Sequence, residues 1–234
     1  MKIMNKNHSN LVKTHFNVKY YNYDILIKKL IPRYDYMHKL IVNSINFPIN
    51  KYFRVLDLGI GTGQTALNLL KKFPNIKIDG VDISSKMIIR GKKRLKNFLN
   101  KVNFIKKDIK DLKLKNKYYG VCVAVLCVHH LNQDEKKILF KKIFNSLVLG
   151  GIFVIGDIIR FNSDIKTKEK EKVWKKILEK NLGKKEANFW FKNYQEEDLP
   201  DSIGDQIQWL KEAGFKRVKS LWRYINYSVI YAKK

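Results

Sequence analysis

This 234-residue chain is poor in cysteine, arginine, alanine and acidic side chains. Its two cysteines, Cys122 and Cys127, fall in one apolar run, "YYGVCVAVLCV" (118–128). On a strand they point to opposite faces, which excludes a local disulfide, and they lack the short-spaced pairing of a zinc site. No metal is expected. Buried free thiols suit a reducing compartment, so a cytoplasmic location is expected. No run of 18 apolar residues occurs, so neither a membrane span nor a membrane partner is expected. The opening "MKIMNKNHSNLVK" has no apolar block of the kind a secretory signal needs.

Acidic residues are outnumbered 48 to 21 by lysine and arginine, for a net charge of +27. The excess is uneven, with 18 basic against 5 acidic side chains in 51–120. Such a basic footprint is the first sign of a nucleic-acid partner. The shortage of arginine points the other way. Only seven of the 48 are arginine, whereas a phosphate-reading surface favours its bidentate fork. Abundant Lys, Asn, Ile, Tyr and Phe with little Ala is what an AT-rich coding sequence produces. RNA stays open as a partner, with coding bias the favoured account of the charge.

The organisation is more informative. "RVLDLGIGTGQTALNLL" (54–70) reads as a buried strand, a turn holding Gly59, Gly61 and Gly63, and a helix from Thr62 that stops before Pro74. Glycines at such a turn let a ligand approach the backbone closely. "KIDGVDI" (77–83) is a second strand. "SSKMIIRGKKRLKNFL" (84–99) is a helix on which Met87, Gly91, Leu95 and Leu99 repeat every four residues. Strands follow at 102–109, 118–128 and 151–159, with a helix at 134–148. Alternation of this kind implies a parallel sheet covered on both faces. Residues 20–47 read as helices broken at Pro32, and 164–194 as a helical, unusually aromatic insertion. A helix at 202–213 then precedes two strands with almost nothing between them, an antiparallel pair.

The glycine turn fails the dinucleotide fingerprint, because its sixth position is Gln64 rather than Gly. What stands here is Asp57-Leu-Gly-Ile-Gly-Thr-Gly, which resembles motif I of the class I S-adenosylmethionine (SAM)-dependent methyltransferases. "GVDIS", "KKDIKDL" and "LCVHHL" follow in the family's order, and the final strand pair resembles its sheet edge. The resemblance covers roughly 50–234. It implies an α/β fold with a seven-stranded Rossmann-like sheet, mostly parallel, with a C-terminal antiparallel hairpin and helices on both faces. The organisation expected is an N-terminal helical cap segment (1–50), a SAM-binding core (51–160), a helical cap insertion (161–200) and a C-terminal helix with the strand pair (201–234).

The same resemblance implies SAM as cofactor and S-adenosylhomocysteine (SAH) as product. It places Asp57, Gly59, Gly61 and Gly63 at the loop and Asp82 on the ribose hydroxyls. Asp108 and Ile109 fall at the adenine, with Ile83, Met87 and Leu126 also against the cofactor. Tyr23, Tyr34 and His38 are within reach of the methionyl carboxylate. His129 and His130 fall near the transferred methyl, where one can act as a base or either can shape the pocket floor. Trp174, Phe189, Trp190 and Tyr194 are expected around an apolar acceptor cavity. No Asn- or Asp-Pro-Pro-aromatic motif follows the fourth strand, which disfavours the family's amine and amide acceptors in adenine, cytosine and glutamine.

"IPRYDYMHKLI" and the C-terminal 34 residues further resemble a bacterial and archaeal subgroup that includes the carboxy-SAM synthase of tRNA carboxymethoxyuridine synthesis. The arginine that would hold the added carboxylate near position 200 is missing, and "EEDLPDSIGDQ" is acidic. The expectation is therefore an enzyme that methylates a small molecule. A tRNA-modifying methyltransferase of the wobble-uridine type, a carboxy-SAM synthase-like enzyme and a SAM-binding protein without turnover are the alternatives. A monomer and a homodimer are both open.

Overall fold

The computed structural model describes residues 23–234. The part of the N-terminal cap segment before Tyr23 lies outside the described residues. Two short helices, α1 (Tyr23–Leu30) and α2 (Tyr34–Ser44), lead into a regular alternation. This runs β1 (Phe53–Leu58), α3 (Gln64–Lys72), β2 (Ile76–Asp82), α4 (Ser85–Arg94), β3 (Val102–Lys106), β4 (Tyr119–Val125), α5 (Gln133–Ser146) and β5 (Leu147–Ile158). The cap helices α6 (Asp164–Leu182) and α7 (Lys184–Glu197) follow, then α8 (Ile203–Ala213), β6 (Arg217–Tyr224) and β7 (Tyr227–Lys233).

The seven strands stand in the order β3-β2-β1-β4-β5-β7-β6. The first five are parallel, and β7 lies antiparallel between β5 and β6, with Ile155 opposite Ile230. Alternation along β4 sorts the core into two layers. Val121, Val123 and Val125 face α1, α2, α3 and the cap, while Cys122 and Ala124 face α5 and α8. Sequence order reverses between β1 and β4, and α/β sheets bind ligands at the carboxyl end of such a switch point. The fold is the one the sequence implies: a mostly parallel seven-stranded sheet closed by an antiparallel pair.

Several boundaries differ from the sequence reading, each for a local reason. The helix expected over 84–99 stops at Arg94 and tightens into a 3₁₀ turn, Lys96–Lys101. At three residues per turn a four-residue repeat leaves the buried face, so Leu99 is 49% exposed while Leu95 is buried. The third strand ends at Lys106, and Asp108 instead caps a 3₁₀ turn by accepting the Lys110 N–H at 3.0 Å. The fourth ends at Val125, which puts Cys127 in the next loop; both thiols are free. The aromatic insertion is two helices that fold onto each other at Gly183, whose φ of 81° suits glycine.

Candidate functional site

At the end of β1 the glycine turn carries three left-handed residues: Gly59, Gly61 and Gly63, with φ of 65°, 53° and 82°. A Cβ on Gly59 would lie 2.6 Å from that of Cys127, and one on Gly63 would lie 2.9 Å from Leu95 Cδ1. These two glycines are required by packing. At Gly61 a Cβ would meet only the Gly59 carbonyl oxygen, at 3.7 Å, so this glycine opens onto free space. The Gly61 N–H donates to Asp82 Oδ2 and the Ser84 N–H to Oδ1, both at 2.8 Å. Burial pushes the Asp82 carboxyl above its usual range, while these donors and the Ile83 N–H pull it back.

A cleft with about 1000 Å³ of empty space lies over this turn. Gly59, Gly61, Asp82, Ile83 and Met87 line one side, and Asp108, Ile109 and Leu126 line the other. Tyr23, Tyr34 and His38 close it from the N-terminal helices. Gly63 and Asp57 stand outside the lining. Asp57 is 1% exposed beneath the turn, and its Oδ2 has no hydrogen-bond partner among the described residues. Burial, with the nearby Asp82 charge, raises its carboxyl well above the usual range. His38 meets Thr65 Oγ1 through Nδ1 at 3.0 Å, but its buried Nε2 has no partner. Burial pulls this imidazole down to about 4, so it is neutral at pH 7.

At the cleft the described residues therefore offer a close-approach glycine, an oriented carboxylate and one buried polar atom, His38 Nε2, with no partner among them. That set fits a ligand with hydroxyls to donate to the carboxylate and a polar group at its other end. Leu126, on the cleft floor, holds a φ of 53°, a conformation costing about 1–2 kcal/mol for a side-chain-bearing residue.

The histidine pair divides. His130 lines the cleft, but His129 is buried behind it and does not. Asp157, on β5, contacts His129 Nδ1 through Oδ1. Its Oδ2 accepts the Val128 and His129 N–H groups at 2.8 and 3.1 Å. Burial pulls His129 down, but the charges of Asp157 and then Asp198 outweigh it and raise it to about 9. His129 is thus already protonated at neutral pH, which removes it as a base and makes it a charged strut. His129, His130 and Asp198 bring ligand atoms within 4.8 Å of one another, a spacing that can also hold a cation.

A second cavity, about 770 Å³, lies between α1, the cap and the ends of β4 and β5. It shares Tyr23, Leu126 and His130 with the cleft. Trp174, Trp190 and Tyr194 line it as expected, whereas Phe189 is not in its wall. The cap is tied down by the Trp174 indole N–H, which donates to the Leu30 carbonyl at 2.9 Å. In turn α1 is fixed to the glycine turn: Thr62 Oγ1 donates to Asp24 at 2.7 Å, and Arg94 bonds Asp24 and Gln64. That ties Arg94 into the fold rather than leaving it on the basic surface.

Asp157 and Asp198 were not singled out from sequence. A lone acid inside the apolar "IFVIGDII" was a legible signal for the first; "EEDLPD" held none for the second.

Residues 55–151 match a family described as a methyltransferase domain. The carboxy-S-adenosyl-L-methionine synthase of Helicobacter pylori strain J99 is 28% identical over 223 residues, covering 91% of this chain and 90% of that protein. The synthase of Nautilia profundicola is 27% identical over 220 residues with the same coverage. Among solved structures, Haemonchus contortus phosphoethanolamine N-methyltransferase 2 with bound S-adenosyl-L-methionine superposes with a TM-score of 0.63 at 15% identity. The alignment covers 85% of this chain, which spans about half of that structure (52%). The YcgJ protein of Bacillus subtilis superposes at 0.62 and 15% identity, covering 82% of this chain and 72% of that one. At such identities the structures speak for the fold, and the sequence relatives and the domain match speak for the chemistry. The chain is therefore similar to the SAM-dependent methyltransferases, with a methyltransferase-domain match over 55–151, and is an enzyme that uses SAM as its cofactor.

Proposed function

We propose that the protein transfers the methyl group of SAM to a small-molecule acceptor and releases SAH. The reading rests on one observation: a second cavity opens beside the cofactor cleft and shares Tyr23, Leu126 and His130 with it. When bound, SAM supplies an electrophilic methyl on a sulfonium. The chain's own residues do the rest. Asp82, held by two backbone donors, has lone pairs left for the ribose hydroxyls. Asp108 and Ile109 hold the adenine end. Tyr23, Tyr34 and neutral His38 take the methionyl end, while Asp57 lies beneath the turn, outside the cleft lining. Ile83, Met87 and Leu126 supply apolar walls. The cap excludes water and aligns the acceptor, the main contribution an in-line displacement needs. Where the acceptor atom carries a proton, His130 is the imidazole placed to receive it.

Carboxy-SAM synthesis, the activity in the relatives' names, fits less well. An added carboxylate calls for a cation, and no lysine or arginine lines the second cavity among the described residues. The two lysines of the cleft, Lys107 and Lys110, flank Asp108 at the other end.

The test is to incubate the protein with SAM labelled in its methyl group and an extract of the source cells, then to count RNA, protein and small-molecule fractions. Label in small molecules, with SAH formed in equal amount, is the expected outcome. Nuclease-sensitive label in RNA overturns the reading. So does saturable SAM binding with no labelled product in any fraction.

A further inference from the structure

Tyr227 opens β7 and is among the largest side chains that the fold buries completely, at 0% exposure. The strand is held on both flanks there, with Tyr227 opposite Ile158 on β5 and Tyr224 on β6. One residue earlier the Asn226 carbonyl accepts the Ile159 N–H at 2.8 Å. The ring is fixed as well, edge-on to Trp174 with centroids 6.2 Å apart. Sheet and cap together hold this side chain at one point in the wall of the second cavity.

Its hydroxyl, however, has no hydrogen-bond partner among the described residues. Two neighbouring groups of the same wall behave differently. The Trp174 indole N–H donates to the Leu30 carbonyl, and the Tyr194 hydroxyl donates to Glu171 Oε1 at 2.8 Å. Those two bonds fasten the cap; the Tyr227 hydroxyl fastens nothing. A buried hydroxyl left this way destabilises the fold, and phenylalanine would supply the same ring without that cost. Around it Ile27, Leu30, Ile31, Leu126 and Ile158 make an apolar wall. One fixed polar group among apolar side chains is how small-molecule sites orient what they bind.

Resting on the small-molecule reading above, we infer that Tyr227 is a specificity-determining residue of the acceptor site, donating its hydroxyl proton to a carbonyl oxygen of an acceptor with an apolar or aromatic body. A phenol keeps its proton at neutral pH and a carbonyl offers only lone pairs, so the direction of the bond is fixed. Molecules of the same shape without that oxygen fit the walls but leave the hydroxyl unmet, and the site discriminates against them.

Two probes of nearly equal shape isolate the hydrogen bond: acetophenone, and α-methylstyrene, in which a CH2 group replaces the carbonyl oxygen. Each is titrated calorimetrically into the full-length protein saturated with SAH, and the ratio of the two affinities is compared with that of Tyr227→Phe. Taking the ratio cancels the different hydration of the probes. It should move against acetophenone by about threefold to tenfold in the variant, the worth of one net hydrogen bond. Tyr227→Phe should bind SAH within about twofold of the unaltered protein, since Tyr227 does not line the cofactor cleft. Without probe it should keep or raise the thermal midpoint, whereas loss of a hydroxyl bonded within the fold would lower it. The unaltered protein gives a separate readout. The infrared stretch of acetophenone labelled with carbon-13 at its carbonyl should lie lower when bound than in hexane. An unchanged ratio, an unshifted stretch, a lowered midpoint, or no binding of either probe while SAH binds overturns the inference alone. Loss of SAH binding by the unaltered protein instead removes the cofactor reading on which it stands.

Discussion

At the scale of single residues, the three glycines of one turn have different reasons to be glycine, and substitution separates them. Gly59→Ala puts a Cβ against Cys127 in a left-handed conformation, so it should lower stability by about 2–3 kcal/mol, read as a drop in thermal midpoint. Gly61→Ala meets open space in the fold but, on the proposed binding mode, intrudes where the cofactor passes. It should cost only about 1 kcal/mol of stability, the conformational term, while SAH affinity falls at least tenfold by calorimetry. Asp82→Asn removes the carboxylate from both its backbone donors and, on the proposed binding mode, from the ribose. It should weaken SAH by about tenfold to a hundredfold, the value of a charged hydrogen bond, with little change in midpoint. Two histidines titrate in opposite senses. His38, lowered to about 4, stays neutral while the unfolded chain takes up its proton below pH 6.5, so stability falls between 6.5 and 4, by up to about 3 kcal/mol. His129, raised to about 9, contributes fully below pH 6.5 and loses that contribution as pH rises through 9. Urea unfolding across pH should therefore show greatest stability near 6.5, and His38→Gln should flatten the acid limb alone.

At the scale of elements, α5 is joined to the segment that carries Asp198 by a buried pair, Lys136 Nζ and Asp201 Oδ2 at 2.5 Å. Lys136→Ala strands a buried carboxylate and should cost about 3–5 kcal/mol in urea unfolding, whereas Lys136→Met with Asp201→Leu should restore most of the loss. This pair also marks where the sequence stops being readable. The sheet, its helices and the glycine turn are written in local patterns, because period-two and near-four-residue spacing, glycine and caps act over a few residues. Asp82 and Asp108 stand where those patterns put them, Asp82 closing β2 and Asp108 just past β3. The roles of His129 and His130 were not legible. Both lie in one dipeptide, and only the approach of β5 and of the 198–201 segment makes the first a charged strut and leaves the second at the cleft. The break at Gly183 and the outward turn of Leu99 were missed because a helical pattern continues across each in the sequence while the backbone changes course.

At the scale of the whole molecule, the charge of +27 is spread over exposed lysines such as Lys92 and Lys93 rather than gathered at the site. Any affinity for tRNA should be non-specific and fall steeply as salt rises from 50 to 200 mM, while methyl transfer to a small acceptor changes little. Glu at positions 92 and 93 should weaken the former by filter binding and leave the latter alone. The sheet order has a kinetic side as well. Because β7 pairs on both flanks, Ile152 of β5 waits for Lys233, about eighty residues later, and the whole cap lies in the loop between them. Closing so long a loop is slow, whereas the α6–α7 hairpin needs only neighbours. Pulse-labelled hydrogen exchange during refolding should then find amides of α6 and α7 protected first and those of β7 last. Until β7 arrives, β5 is a bare apolar edge at the rim of the second cavity, and crowded refolding at that stage is where self-association competes with completion of the fold.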